Sequence, residues 1–228
     1  MTDEKVEKRS FSQSLSSLLD RVVCRAAYGA DFDAVCRLRY DAYRREDSLP
    51  EGTPRLFSDR YDLSPNTTSY GVYVDGALAG SLRVHVFDRD HPESPATTTF
   101  PDIILPMMED GALLVDGTRF VVDVEAARRH PNIAYAVARI AWMAGHHYRA
   151  DWIVTTCRPE HQAFYRRVFG HEVIAPPRSY PGLTKPQGLL RLDQRRRTQP
   201  VQARYPFFAS TEAERQSLFG GQGARRSA

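Results

Sequence analysis

The stretch GVYVDGALAGSLRVHVF, residues 71–87, constrains the fold more than any other. Asp75-Gly76 lies between two runs that alternate apolar with small or polar residues, and this dipeptide accepts the positive φ values of a tight two-residue turn. Two adjacent antiparallel strands follow. Strand side chains alternate between faces, so Leu78, Leu82, Val84 and Val86 fall on one side of the second strand and Arg83 with His85 on the other. One face packs a core, and the other carries charge.

The remaining elements are placed around that hairpin. RVVCRAAY reads as a strand and DFDAVCRLRYDAYRRE as a helix capped by Asp31 or Asp33. Residues 46–69, with Pro50, Pro54 and Pro65, form a long loop with room for a helical turn, and residues 88–110 form an insertion carrying the apolar segment FPDIILPMM. TRFVVDV is the next strand. The helix after it starts near Pro131 and repeats Ile133, Val137, Ile140, Ala141, Ala144 and Tyr148 at helical spacing. DWIVTTC is a strand, PEHQAFYRRVFG a helix closed by Gly170, and HEVIA and QGLLRLD are the last strands. The order β-α-loop-β-β-β-α-β-α-β-β is an α/β arrangement with a mixed, mostly antiparallel central sheet and helices on both faces.

A chain of 228 residues with 42% hydrophobic content buries one sizeable core. Residues 22–193 form the expected domain. Residues 1–21 read as an N-terminal appendage in which Leu15, Leu18 and Leu19 make a short helix lying against the body, and residues 194–228 as a polar, basic, loosely ordered C-terminal tail. No apolar run is long enough for a membrane span and the N-terminal segment is charged where a signal peptide is apolar, so a cytoplasmic protein is expected. A net charge of +3 is mild and predicts no nucleic-acid footprint. Cys24, Cys36 and Cys157 are widely separated, which suggests small buried side chains rather than disulfides or a zinc site. His146 and His147 are adjacent on a helix and point apart, so no metal pair is expected there. G-x-S-x-G, G-x-G-x-x-G and Walker patterns are missing. Cys157 beside Arg158, with His161 on the next helix, is the one nucleophile arrangement to weigh.

The motifs RLRYDAYRRED, SDRYD, GVYVDGALAGSLRV and DGTRFVVD, in this order, resemble those of the acyl-homoserine-lactone synthases and the long-chain N-acyl amino acid synthases, a branch of the Gcn5-related N-acyltransferase fold. The resemblance covers roughly residues 22–193. It implies a splayed strand pair forming an acyl-donor groove, and acyl transfer from an acyl carrier protein thioester, on its 4'-phosphopantetheine arm, to an amino group. No bound cofactor is expected. Its pattern places Arg39 and Tyr43 on the first helix, paired carboxylates at Asp59 and Asp62, and an arginine at Arg83 as the acceptor-binding set. Helical spacing also puts Val35, Arg39 and Tyr43 on one face. Two readings fit Arg39: a head held by a partner, or a stem packed with the head in water. Two fit the cluster: it holds a polar acceptor, or it pins the loop to the sheet. The pattern's acid and arginine match Asp116 and Arg119, with aspartate where glutamate is usual. Amide formation needs a proton acceptor near the thioester, and Asp116, Glu125 and Glu109 are the carboxylates in range by sequence.

The turn after that strand reads EAARRHPN and lacks the glycines through which coenzyme A transferases of this fold bring backbone N–H groups to a pyrophosphate. A carrier protein presents a single phosphate, which Arg128 and Arg129 are placed to meet, together with the carrier's acidic surface. Walls of an apolar acyl slot are expected from Phe120, Val122, Trp142 and Thr155, with Met143, Ile153 and Trp152 nearby and FPDIILPMM as a cover. The expected product is an N-acyl amino acid, whose apolar chain allows peripheral membrane contact. The alternatives are lactone synthesis from S-adenosylmethionine and a non-catalytic binder of acyl chains or carrier protein.

Overall fold

The Asp75-Gly76 turn forms with φ of 49° and 81°, the twist a two-residue hairpin requires. In the computed structural model, which describes residue 11 and residues 13–222, it joins β2 (Thr67–Val74) to β3 (Ala77–Phe87). With β1 (Val22–Ala26), β4 (Leu114–Val122), β5 (Trp152–Cys157), β6 (Glu172–Arg178) and β7 (Gln187–Asp193) these strands make one sheet in the order β1-β2-β3-β4-β5-β7-β6. Every neighbouring pair is antiparallel except β4 and β5. The mixed, mostly antiparallel sheet read from the sequence is thus present.

The predicted alternation along β3 holds from Leu82 onward and fails before it. A bulge lets Val72 pair with Gly80 and Tyr73 with Leu78, so Ala79 takes the core-facing place expected for Leu78. A second bulge is more consequential. Ser81 pairs with Val121 and Arg83 with Thr118, so Arg119 and Phe120 together oppose Leu82, and Arg119 adopts φ of 52°.

One face of the sheet is covered by α1 (residues 13–19), α5 (Val124–Arg129) and α6 (Ile133–Tyr148). Leu15 and Leu18 of α1 and Ile133, Val137, Ile140 and Ala144 of α6 enter its core, as their spacing predicted. The other face carries α2 (Ala30–Arg45), α3 (Pro95–Thr99) and α4 (Pro101–Glu109). Phe100, Ile104 and Met108 pack there on Phe87, Leu114, Val154 and Leu189 as a second core. The apolar run 100–108 is therefore a pillar under the sheet. Among residues 88–110 none lines the cleft described below, so the expected tunnel cover is corrected.

Three further expectations are corrected. Gly29, not Asp31 or Asp33, caps α2, because Arg25 on β1 holds Asp31 through two bonds of 3.0 Å. Residues 125–129 of the EAARRHPN turn belong to the helix α5, capped by Asp123, whose carboxylate accepts the Ala126 N–H at 2.8 Å. The segment after Asp193 is no loose tail: α8 (Gln194–Arg204), a turn at Pro206–Phe208 and α9 (Glu212–Phe219) bring Val201, Phe207, Phe208 and Phe219 into the main core. The remaining helix, α7 (Pro159–Val168), ends at Gly170 with φ of 79°. Among the described residues no helix is long and apolar enough to cross a membrane.

Candidate functional site

β4 and β5 pair through only three residue pairs, ending at Asp116 with Val154. Beyond that vertex the strands part. A cleft of about 440 Å³ opens between them, walled by Phe120 and Val122 of β4, Thr156 and Cys157 of β5, Phe164 and Tyr165 of α7, and Tyr43 and Arg45 of α2. Gly117, Phe120 and Tyr165 are shared with a narrow inner slot of about 20 Å³, lined also by Trp142, Thr155, Phe169, His171 and Leu192. Gly117 keeps the passage open: a Cβ there would stand 3.1 Å from Ala141 Cβ and 3.6 Å from Leu82. The slot is nearly all apolar. Burial lowers the His171 imidazole to about 3, so it is uncharged there.

The charged face of β3 meets the long loop beside this cleft. Asp59 caps a short 3-10 turn (Arg60–Leu63) in a reciprocal capping box with Asp62. The same two carboxylates bind three buried arginines. Arg39 donates to Asp62 Oδ1 at 2.9 Å and to Ser69 Oγ at 2.6 Å. Arg83 donates to Asp59 Oδ1 at 2.6 Å and to Thr118 Oγ1 at 3.0 Å, and stands 3.0 Å from Asp62 Oδ2. Arg119, turned off the strand by its bulge, donates to Asp59 Oδ2 at 2.5 Å and to the Pro181 carbonyl at 3.3 Å, and its guanidinium lies 4.5 Å from the Phe57 ring centre and 5.6 Å from that of Tyr43.

Arg39 is fully buried, so the reading with its head in water is excluded. Burial by itself raises both carboxyls, but the arginines outweigh it: Arg83 and Arg119 hold Asp59, and Arg39 and Arg83 hold Asp62, below the usual carboxylate range. The cluster pins the loop and keeps one guanidinium in excess. The Nη1 of Arg119 is buried and has no partner, and Arg119 lines the cleft. Three arginines against two aspartates leave a positive charge and one unused donor beside the cleft.

Asp116 sits at the vertex, paired across the sheet with His85 and fully buried. Neither of its oxygens has a partner, and burial raises its carboxyl to about 8 against a smaller opposing pull from Arg83. At neutral pH it holds its proton. His85 is uncharged for the same reason, burial seconded by Arg83, and its ring nitrogens sit 2.7 Å from Thr67 Oγ1 and 3.2 Å from Thr118 Oγ1.

The structure thus brings together Arg39, Tyr43, Asp59, Asp62, Arg83, Arg119, Phe120 and Val122, with Trp142 and Thr155 deeper in. It sets four predicted residues apart, and leaves Asp116 outside the lining of both cavities. Glu125 lies on exposed α5, where it pairs with Arg128 at 2.5 Å, while Arg129 donates to the Glu125 carbonyl at 3.3 Å, and none of the three lines the cleft. Glu109 ends α4 under the opposite face. The basic groups at the cleft are instead Arg45 and Arg158, with Arg158 held by Glu46, which also lines it; His161 lines it too and is kept uncharged by burial and by Arg158. These were missed because they come from the ends of α2 and β5 and the start of α7, whose convergence no motif marks. Burial pushes the Cys157 thiol up to about 12, which removes it as a nucleophile. Among the described residues no group of three or more His, Cys, Asp or Glu side chains is arranged to hold a metal ion.

Residues 34–193 match the family model described as N-acyl amino acid synthase FeeM. The solved structure of FeeM, an N-acyl amino acid synthase from uncultured soil microbes, superposes with a TM-score of 0.66 at 18% identity, over 80% of this chain and 98% of that one. A CoA-dependent acyl-homoserine lactone synthase, BjaI, superposes with a TM-score of 0.57 at 11% identity over 91% of this chain and 100% of its own. The AHL synthase LasI gives 0.54 at 14% identity, over 84% and 98%. At these identities the likeness is one of fold, the Gcn5-related acyltransferase fold. A search of curated proteins finds no match.

Proposed function

The chain belongs to the FeeM family of N-acyl amino acid synthases and is an amide-forming acyltransferase; from that premise we propose that it moves a fatty acyl group from acyl carrier protein to the amino group of an amino acid. The observation that carries the acceptor is the excess guanidinium at the cleft wall. Arg119 Nη1 lacks a partner, and an α-carboxylate arriving there completes its donors and balances the cluster's charge. A simple amine leaves that group unpaired. The binding set is then Arg119 with Tyr43 and Phe57 around it, while Arg39, Arg83, Asp59 and Asp62 hold Arg119's surroundings rigid.

The donor thioester lies along Phe120 and Val122 of β4, where the parted strands leave backbone groups for the pantetheine to pair with, and its acyl chain passes Gly117 toward Trp142 and Thr155. The amine nitrogen attacks the thioester carbonyl carbon, the C–S bond breaks, and the thiolate leaves and is protonated by water or by the base that took the nitrogen's proton. The ammonium proton goes to a base. We assign that base to Asp116, whose carboxyl is raised to about 8; it is fully buried and lines neither the cleft nor the slot, so the proton reaches it through an intervening water. Support for a carrier protein comes from the corner after β4. Asp123 occupies the α5 start with its own carboxylate, which disfavours a diphosphate there, and Arg45 and Arg158 at the cleft suit one phosphate and an acidic carrier.

The test offers acyl carrier protein thioester or acyl-coenzyme A, each with a mixed amino acid pool, and reads products by mass spectrometry. An N-acyl amino acid from the carrier-bound donor is expected. Equal or faster transfer from free acyl-coenzyme A overturns the donor assignment, and product formed only with S-adenosylmethionine overturns the acceptor.

A further inference from the structure

Helix α6 is buried nearly all the way round, with Ala136, Ala138, Arg139, Trp142 and Met143 covered as well as its sheet-facing side chains. What covers its outer side is the segment after Asp193, which lies beyond the family match. The attachment is polar as well as apolar. Arg139 donates to the Phe207 carbonyl and the Ala209 carbonyl, each at 2.7 Å, and pairs with Glu214. Gln194 Nε2 donates to the Trp142 carbonyl at 2.8 Å. Phe208, fully buried, lies with its ring centre 5.9 Å from Trp142 and 4.8 Å from Phe169.

Trp142 and Phe169 stack on each other at 5.5 Å, and both line the inner slot. Phe208 packs on both rings and does not itself line the slot. A chain that outgrows the slot must push one of these rings outward, and a close-packed interior yields little to such a push. We infer that the segment from Gln194 to Phe219 is the acyl-length gauge of this enzyme: by seating Phe208 behind Trp142 and Phe169 it sets the longest fatty acyl chain the slot admits. The inference rests on the reading of the slot as the acyl site.

The full chain and its Phe208→Ala, Phe208→Leu and Glu214→Gln variants are given an equimolar ladder of acyl donors of increasing length, with the products counted in one pot. Ratios between lengths do not depend on how much of a variant is folded. Each extra methylene accommodated is worth about fourfold, so the ratio of long to short products is expected to rise about tenfold or more for Phe208→Ala and by less for the other two. Variants that transfer acyl groups with the wild-type length distribution overturn the gauge and leave the acyltransferase intact. A wild-type enzyme that transfers all lengths equally overturns the slot reading itself.

Discussion

Asp116→Asn is expected to stabilise the protein at pH 8 while leaving it nearly unchanged at pH 4. The carboxyl is raised from 3.8 to about 8 in the folded state, first by burial, with Arg83 opposing. Below the unfolded value both states carry the proton and nothing is lost. Between the two values the folded state keeps a proton that the unfolded state has released, so stability falls with rising pH by about 1.4 kcal/mol per unit. Over the whole interval this reaches roughly 6 kcal/mol, an upper bound because water and Arg83 relax around the ion. Asparagine carries no proton to lose. Its amide shifts stability by an offset that does not vary with pH, so the difference between variant and wild type should grow steadily across this range and level off above pH 8. Urea unfolding at half-unit pH steps measures it. Parallel curves for the two proteins would refute the reasoning, because they mean that the wild-type carboxyl titrates alike folded and unfolded. The same residue gives a kinetic check: a wild-type rate that rises through about pH 8 and a flat one in the variant are expected if Asp116 accepts the proton.

Asp59→Ala leaves Arg83 and Arg119 buried without their shared carboxylate, and a loss of about 3–5 kcal/mol is expected in denaturant unfolding. Asp59 and Asp62 are both held low, so their contribution is complete above the unfolded carboxylate range and drains away as pH falls below it; wild-type acid unfolding should be steep and that of Asp59→Ala shallower. Arg119→Gln should reduce kcat/KM for the amino acid about 10-fold to 100-fold through the lost charge-assisted bond, with the preference among acyl donors unaltered, as measured by acceptor titration at fixed donor. Gly117→Val should close the passage to the inner slot, reducing transfer of long chains by about tenfold or more relative to short ones in a competition assay, since the new side chain meets Ala141 and Leu82.

The sheet was legible because its signals are local: Asp75-Gly76 sets one hairpin, and apolar periodicity marks α6 without help from elsewhere. The ionic cluster was legible as residue types. The direction of Arg119 was not, since a bulge created by pairing with Leu82 turns it off the strand, and pairing register between distant strands leaves no trace at Arg119 itself. The corner after β4 is ambiguous for a related reason: Asp123 caps the helix that follows, yet in TRFVVDV it sits inside an apolar run that continues the strand pattern. The segment after Asp193 misled most. Its apolar residues Val201, Phe207, Phe208 and Phe219 are spread among arginines and glutamines, and polar composition masked them. A clue lay in α6, whose run IAYAVARIAWMAG is apolar on too many sides for a helix with only a sheet to cover it.

The place of β7 between β5 and β6 has a consequence for how the chain acquires its shape. β6 bonds to no strand but β7, which follows it in sequence, and β5 waits for the same neighbour on its open edge. During synthesis this end of the sheet therefore remains unzipped, with the β5 edge unpaired, until residues 187–193 leave the ribosome. Native closure is a late event, and the nascent chain is most prone to wrong pairing just before it.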